Sequence, residues 1–262
     1  RGHITLACSP LDVAAPLHPI WLQQPTVIVG GALDVEATAP IYRQKLGLGD
    51  LTCLKFSPHR QHDAVQLYIP DRLPLPNTPQ FQAALLRELR RLLYLSASAA
   101  TPGLAVILVH DTPLKQQVAA TLAAEFGSRV QVEQTSPDEN GILVTGWEFW
   151  RSHQGRLPVP QLLMISTLPL PSLEHPLVAE RVAYYKRQRQ DWFRLFLLPE
   201  AMSELQRAIA PVRESQGIVA LLDSRVNYRS YGRQIVQAMN PAARTNYIDE
   251  SFFMTSDQPL LG

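Results

Sequence analysis

The chain has 262 residues, of which 46% are hydrophobic and 18% charged, and its formal net charge is +1. This composition excludes an intrinsically disordered protein, and the near-zero charge argues against a binder that is basic over its whole surface. Two cysteines, Cys8 and Cys53, are too few for a disulfide framework or a four-thiolate zinc site, which favours a reducing, cytoplasmic location. No apolar run approaches the roughly 18 residues of a membrane span, and no signal peptide is recognisable.

The chain starts at Arg1 rather than Met, in a sequence rich in core residues, which predicts an excised domain. Proline is unusually common, with 22 prolines against 13 glycines. Because proline interrupts helices and central strands, the secondary structure is expected between the prolines, which mark the joints.

The first third of the chain combines short β-branched runs with helical patterns. The run at 26–29 precedes Gly30-Gly31 and predicts a buried strand followed by a tight turn. Residues 70–79 contain four prolines and predict an extended linker, after which Thr78 is expected to cap a helix. In chain order the predictions are a lead-in over 1–24, a strand over 26–29, a helix over 35–46, strands over 51–56 and 65–69, and a helix from 79 to about 95.

From residue 104 onward, continuous apolar runs alternate with helical patterns. This alternation is typical of an open parallel α/β sheet with helices on both faces. Such sheets bind ligands beyond the carboxyl ends of their strands, so candidate sites follow residues 109, 145, 167 and 222. The predicted strands are 104–109, 130–133, 142–145, 162–167 and 217–222, and the predicted helices are 113–126, 175–190, 200–210 and 228–239.

The familiar catalytic motifs are absent from the sequence: it contains no P-loop, Rossmann glycine fingerprint, nucleophile elbow or His-Glu-x-x-His. His59 and His62 have the spacing of two metal ligands beside Asp63, but the polar context favours a solvated loop and predicts no metal site. Asp111 and Asp223 each follow a predicted strand, where an aspartate either binds a ligand or caps a helix.

Basic residues concentrate in one part of the chain. Residues 181–233 carry ten basic and five acidic residues, so this segment is +5 and the rest is −4. Within 184–194 the cations alternate with aromatic residues, a pattern suited to single-stranded nucleic acid, where cations bind phosphates and rings stack on bases. An amphipathic helix with core aromatics and a solvated basic face explains the pattern equally well. The candidate nucleic-acid-binding residues are Tyr185, Lys186, Arg187, Arg189 and Trp192.

Several short segments follow one another along the chain between about residues 21 and 239. They are Val27-Ile28-Val29-Gly30-Gly31-Ala32-Leu33, Phe56-Ser57-Pro58, Phe149-Trp150, Leu168-Pro169-Leu170-Pro171, Leu198-Pro199-Glu200-Ala201, and Ile218 to Val226 followed by Tyr231-Gly232-Arg233. In this order and spacing they resemble the second motor domain of superfamily 2 DNA helicases of the DinG/XPD type.

This resemblance implies a RecA-like C-terminal motor domain over 26–240, between a lead-in at 1–25 from a preceding domain and a tail at 241–262. It implies that ATP and Mg²⁺ bind mainly to a missing N-terminal motor domain of the same parent chain, so the fragment alone is expected to be inactive. It also assigns Gln206 and Arg213 catalytic roles facing the phosphates and adds Asp223 to the nucleotide-binding residues. The partner is expected to be single-stranded DNA.

The sequence departs from the family pattern at three motifs. In the linking motif, Gly30-Gly31 replaces Thr-Ser, which weakens the expected coupling between ATP and DNA. After Phe149-Trp150 the family continues with Glu-Gly-Val/Ile-Asp, whereas this chain has Arg151-Ser152-His153-Gln154. In the Gln-x-x-Gly-Arg-x-x-Arg motif, Gln206 and Arg213 match the ends while the inner Gly-Arg falls on Ile209-Ala210. Since the inner arginine of this motif contributes roughly 10³-fold or more to the rate of phosphoryl transfer, ATP hydrolysis should be strongly impaired unless Arg207 substitutes for it.

Three functional hypotheses follow. The leading one is the C-terminal domain of an ATP-dependent DNA helicase. The second is a helicase-derived module that binds DNA or protein without hydrolysing ATP. The third is an unrelated α/β enzyme with a polar pocket built from Asp111, Glu148, His153 and Asp223.

Overall fold

The computed structural model describes residues 8, 10–31, 33–34, 36–54, 64–99 and 103–254. Its strands are β1 (Val65–Tyr68), β2 (Ala105–Leu108), β3 (Val130–Val132), β4 (Ile142–Thr145), β5 (Leu162–Ile165), β6 (Ile218–Leu221) and β7 (Ala242–Thr245). Its helices are α1 (Ala14–Gln23), α2 (Pro40–Leu46), α3 (Phe81–Ala97), α4 (Thr112–Phe126), α5 (Trp147–His153), α6 (Pro176–Arg187), α7 (Leu198–Glu214), α8 (Arg225–Tyr228), α9 (Gly232–Ala238) and α10 (Ser251–Met254).

The seven strands form one parallel sheet in the order β3-β4-β2-β5-β6-β1-β7. In the middle of the sheet Leu108 lies opposite Ile165, and Ile165 lies opposite Leu221. The residues of β2, β4, β5 and β6 are all buried, as expected for parallel strands covered on both faces. The prediction of a parallel α/β fold is therefore confirmed.

Helix α3 shows how the sheet is covered. Leu85, Leu89 and Leu92 recur at helical spacing and are completely buried in the core. Full burial of such a side chain stabilises the fold by about 1.5–3 kcal/mol. On the same helix, Glu88 accepts a hydrogen bond from the Tyr68 hydroxyl at 2.8 Å, which ties α3 to β1.

The chain divides into two compact units. The helical unit comprises Arg1–Phe56 and Leu170–Glu204, and the sheet unit comprises Ser57–Pro169 and Leu205–Gly262. A small apolar cluster of Val182, Phe196 and Leu197 lies inside the helical unit, whereas the large core lies around the strands of the sheet unit.

Several local predictions are wrong. Residues 26–29 form no strand, and Val27 and Val29 are 88% and 89% exposed, because no described strand pairs with them. Helix α1 occupies part of the predicted irregular lead-in. The Thr78 hydroxyl donates to the carbonyl of Leu75 instead of capping α3, which begins at Phe81.

The sheet extends into the segment expected to be a tail. Strand β7 pairs in parallel with β1, with Val65 opposite Ala242 and Tyr68 opposite Thr245. This short strand has the sequence Ala-Ala-Arg-Thr, with one arginine and no large apolar residue, so its hydrophobic pattern does not reveal it. None of the described helices is both long and apolar enough for a membrane span.

Candidate nucleotide and nucleic-acid sites

The carboxyl edge of the sheet brings together residues from three neighbouring strands. Continuing the register of β2, β5 and β6 by two residues places His110, Thr167 and Asp223 at one level. Main-chain bonds continue the pairing at this edge, since Ser166 N donates to Leu108 O at 2.9 Å and Leu222 N donates to Ile165 O at 2.8 Å. This is the edge at which parallel α/β sheets bind ligands.

Asp223 is buried at this edge and has a full set of partners. The residue is only 1% exposed to solvent. Oδ2 accepts from Leu168 N at 2.8 Å and from an Arg225 terminal nitrogen at 2.6 Å, while Oδ1 accepts from Arg225 N at 3.0 Å and Nε at 2.9 Å. Both carboxylate oxygens are occupied, so in this arrangement Asp223 holds the turns that follow β5 and β6.

Asp111 and His110 follow β2. The Asp111 carboxylate accepts a hydrogen bond from Leu114 N at 2.7 Å and caps α4, which is the helix-cap alternative considered for this residue. Desolvation by the surrounding protein, and then the Arg225 guanidinium, lower the pKa of His110, although its side chain has access to solvent. The shift favours the neutral imidazole, which can accept as well as donate a hydrogen bond.

Two hydroxyls at the end of β5 were missed by the sequence reasoning. Ser166 is fully buried, and neither its hydroxyl nor that of Thr167 has a hydrogen-bond partner among the described residues. Unpaired buried hydroxyls are costly and uncommon. The signal available in the sequence was a Ser-Thr pair directly after a continuous apolar strand at a predicted ligand-binding edge.

A charged cluster lies toward the other side of this edge. Lys115 Nζ donates to Glu133 Oε1, and the same oxygen accepts from Gly146 N at 3.2 Å. The Lys115 ammonium is the main cause that lowers the pKa of Glu133, with a further contribution from the Gly146 N–H. The pair links α4 to the ends of β3 and β4.

Arg213 lies at the opposite edge of the sheet from Asp223. Its guanidinium donates to the carbonyls of Met239 at 2.6 Å and Pro241 at 2.7 Å, just before β7 begins. Gln206 lies seven residues earlier on α7, or about 10 Å along the helix axis. The structure therefore does not bring Arg213 and Asp223 together.

The middle of the expected arginine motif has no cation. Ala210 is exposed, and Pro211 follows it within α7. Proline lacks the N–H that would bond the carbonyl four residues earlier, here that of Arg207. Helix α7 thus continues through Ala210, which replaces the expected arginine, and through Pro211, which interrupts the main-chain hydrogen bonds.

The predicted nucleic-acid-binding residues lie together in the helical unit. Lys186, Arg187 and Arg189 are exposed at the end of α6 and just beyond it. Lys186 Nζ lies 5.4 Å from the ring centroid of Trp192. Arg187 forms an exposed ion pair with Glu180 at 3.0 Å.

The two aromatic candidates are partly packed in the protein and partly exposed to solvent. Tyr185 and Trp192 are half-buried against the cluster of Val182, Phe196 and Leu197. The Tyr185 ring is stacked on that of Phe196 with centroids 6.2 Å apart. The cations are therefore available to a phosphate chain, while these rings also belong to the small core.

A cleft of about 210 Å³ opens beside Tyr185 in the helical unit. Its charged lining includes Lys45 and Glu200, which pair at 2.5 Å, together with Asp12 and Arg181. The charges balance, so the cleft has no strong preference for an anion or a cation.

Two further sets of candidates from the sequence are the histidine pair with metal-ligand spacing and the polar residues of the third hypothesis. His59, His62 and Asp63 lie outside the described residues. Within the part of the chain that the structure describes, no group of three or more His, Cys, Asp or Glu side chains could hold a metal ion. His153 stacks on Phe149 with ring centroids 4.2 Å apart, and its Nδ1–H donates to the Phe149 carbonyl at 2.9 Å.

Comparisons with known proteins identify the domain type. Residues 156–242 match the family model of the helicase C-terminal domain. The chain is 24% identical over 262 positions to the ATP-dependent DNA helicase YoaA of Escherichia coli strain K12, with 94% of this chain and 40% of that protein covered. It is 25% identical over 238 positions to the 3'-5' exonuclease DinG of Bacillus subtilis strain 168, with 81% of this chain and 25% of that protein covered.

Two solved structures are also similar. An XPD helicase aligns with a TM-score of 0.48 at 13% identity, covering 70% of this chain and 35% of its own. The Xpd4 protein of S. tokodaii aligns with a TM-score of 0.45 at 14% identity, and the alignment covers 70% of this chain and 39% of the Xpd4 chain. The family match and the two relatives support the prediction of a helicase C-terminal domain similar to those of DinG and YoaA, in a chain that spans about 40% of the length of YoaA.

Proposed function

We propose that this helicase C-terminal domain is the second motor domain of an ATP-dependent DNA helicase, in which it binds single-stranded DNA and completes an ATP site. The observation that carries the proposal is the family match over residues 156–242, a segment that begins before β5 and ends at the start of β7. The segment includes α6, α7 and the basic stretch at 181–233. A cytoplasmic location accords with this role.

The proposed DNA contacts lie in the helical unit. Lys186, Arg187 and Arg189 present exposed cations to the phosphates. The outer faces of Tyr185 and Trp192 offer aromatic surface for bases, since both side chains are only half-buried.

The proposed ATP contacts lie in the sheet unit. Gln206 and Arg213 are the motif residues assigned to the phosphates, and Asp223 supports the turn at the carboxyl edge. ATP with Mg²⁺ would be the substrate, held mainly by the phosphate loop of a preceding motor domain. Because this sequence contains no such loop, the 262 residues alone should not hydrolyse ATP.

The motor proposal is tested by DNA-stimulated ATPase activity of the longer parent protein with Arg213→Lys. Lysine keeps a donor for the carbonyls of Met239 and Pro241 but lacks the guanidinium fork. We expect a fall of roughly 10³-fold in kcat with little change in melting temperature. Arg87→Lys, at an exposed position of α3, is the control, and equal activity of Arg213→Lys and the unaltered parent would contradict the assignment.

The DNA contacts are tested by replacing Lys186, Arg187 and Arg189 with Gln in the full 262-residue chain. Single-strand affinity should fall, and the slope of log K against log salt should decrease by about 2, or 0.7 for each lost contact. The control replaces three exposed arginines of the sheet unit, Arg87, Arg129 and Arg156, with Gln. Equal effects of the two triple variants would show that the basic stretch at 181–233 is only a solvated face.

An ATPase-inactive binding module is the second candidate. It is favoured by the bonding of Arg213 to two backbone carbonyls and by alanine and proline at the centre of the motif. In that case the parent protein would bind single-stranded DNA with the same dependence on Lys186 while showing no DNA-stimulated hydrolysis.

A further inference from the structure

The cleft beside Tyr185 combines aromatic walls with polar groups. Its lining comes entirely from the helical unit, and its volume is about 210 Å³. Sites for larger organic ligands measure roughly 300–1,000 Å³, so this cleft suits a single planar ring system. The rings of Tyr184, Tyr185 and Phe196 lie in the lining, and those of Tyr185 and Phe196 are nearly parallel, with 19° between their planes. Flat aromatic walls bind flat ligands by stacking.

The polar groups of the cleft match a ligand that is uncharged but has hydrogen-bond donors and acceptors. Asp12 and Glu200 supply two carboxylates to the lining. Lys45, which pairs with Glu200, and Arg181 supply two cations, so the charges sum to zero. The Arg181 guanidinium lies 5.1 Å from the ring centroid of Phe196. A phosphate finds no excess of positive charge here, whereas the edge of a nucleobase carries both donors and acceptors.

The exposed cations of the helical unit lie on a turn that begins and ends in this cleft. Tyr185 and Gln190 both belong to the lining, and Gln190 N donates to Tyr185 O at 3.0 Å. Lys186, Arg187 and Arg189 lie between them and are exposed. Phosphates bound by these cations would therefore bring the bases of the same strand next to the cleft.

The backbone beside the cleft departs from regular geometry at two points. Arg189 has a φ of 55°, in the left-handed region that residues other than glycine rarely adopt. Residues Phe193–Leu197 form a π-helical turn, which places Leu195 and Phe196 in the lining. Both features are uncommon and cluster at functional sites.

We propose that the cleft holds one nucleobase of a bound single strand, while Lys186, Arg187 and Arg189 bind the flanking phosphates. Stacking on the aromatic wall would provide the affinity, and Asp12 and Arg181 would bond to the edge of the base. The inference rests on the proposed single-strand binding and adds to it a subsite for a base rather than for the sugar–phosphate backbone.

A strand without bases separates base binding from phosphate binding. The probes are oligothymidylate of about 12 nucleotides and an abasic strand of the same length and charge, each titrated with the 262-residue chain. Oligothymidylate should bind at least about 5-fold more tightly, which is the effect of one stacked base. Equal affinities would overturn the inference and leave the phosphate contacts standing. If neither strand bound, the proposed single-strand binding would be wrong as well.

Removal of one ring tests whether the base binds in the cleft. Tyr184→Leu takes a ring from the lining and spares Tyr185, which also packs on the small apolar cluster. The advantage of oligothymidylate should shrink, while the affinity for the abasic strand and the melting temperature stay the same. Tyr94→Leu, at an exposed tyrosine of the sheet unit, is the matched control and should keep the full difference. An undiminished difference in Tyr184→Leu would contradict the assignment to the cleft.

Photo-cross-linking of the unaltered chain locates the base directly. A strand with one iodouracil bonds on irradiation to aromatic rings that it contacts, and peptide mass spectrometry should find it on Tyr184 or Tyr185. Cross-links confined to Trp192, which is not part of the cleft lining, would show that bases stack elsewhere and would overturn the inference.

A free nucleotide is the other source of the same ring. Thymidine monophosphate should bind the 262-residue chain at least about 10²-fold more weakly than oligothymidylate, because it lacks the flanking phosphates. Equal affinity of the mononucleotide and the strand would assign the cleft to a free nucleotide instead.

Discussion

At the scale of single residues, Asp223 shows how a polar group at a ligand-binding edge can be committed to structure. Its carboxylate is buried, and its two oxygens accept bonds from Leu168 N and from three Arg225 donors. Arg225 is itself largely buried, with its side chain 23% exposed. The Asp223 carboxylate has no access to water and the Arg225 guanidinium has little, so each charge is stabilised mainly by the other.

Asp223→Asn should therefore destabilise the sheet unit by about 2–4 kcal/mol, because it leaves the Arg225 guanidinium buried without a counter-charge. Urea unfolding measures the change as a lower midpoint at unchanged slope. Glu180→Gln removes the exposed partner of Arg187 and should cost less than about 1 kcal/mol. Similar midpoints for the two variants would show that the Asp223 pair contributes no more than a surface pair.

At the scale of secondary-structure elements, helix α7 joins the family motif to the core. Its buried face includes Leu205, Ile209 and Val212, which have no exposed surface. The carbonyl of Ala208 accepts a bond from the indole of the buried Trp150 at 3.2 Å. These contacts hold the helix together across Pro211, which on its own would weaken it.

Pro211→Ala should raise the free energy of unfolding by about 1–3 kcal/mol, because alanine restores the N–H and relieves the clash with the preceding turn. Thermal and urea unfolding measure the gain. Pro176→Ala is the control: Pro176 is the first residue of α6, where proline is well tolerated, so that change should not stabilise the chain. A loss of stability in Pro211→Ala would show that the bend at proline is needed for packing.

At the scale of the whole molecule, the chain consists of two units with very different cores. The cluster of Val182, Phe196 and Leu197 is small, whereas the sheet unit buries side chains from strands β1, β2, β4, β5 and β6 and from helices such as α3 and α4. Because stability follows buried apolar area, the helical unit should open at a lower denaturant concentration than the sheet unit.

Tryptophan fluorescence can follow both events, since Trp21 and Trp192 belong to the helical unit while Trp147 and Trp150 belong to the sheet unit. We expect two transitions in urea. Trp21→Phe with Trp192→Phe should remove the earlier transition from the signal and retain the later one. A single transition at one midpoint in both proteins would show that the units unfold together.

The parallel α/β sheet could be predicted from the sequence alone, because strands buried on both faces must be continuous apolar runs, as in β2, β5 and β6. The sequence also determined the resemblance to DinG/XPD-like helicases, which depends on the order of short motifs. Helix α1 and strand β7 could not be predicted from the sequence, because weakly patterned segments take their structure from the elements they pack against.

The hydrogen-bond partners of the polar residues and the exposure of the apolar ones could be seen only in the folded chain. The tertiary structure placed Arg213 on two carbonyls at the amino edge, closed Asp223 onto Arg225, and left Val27 and Val29 in solvent. The physical reason is that hydrogen bonding and burial depend on neighbours distant in sequence, whereas propensity and periodicity report only on the local chain.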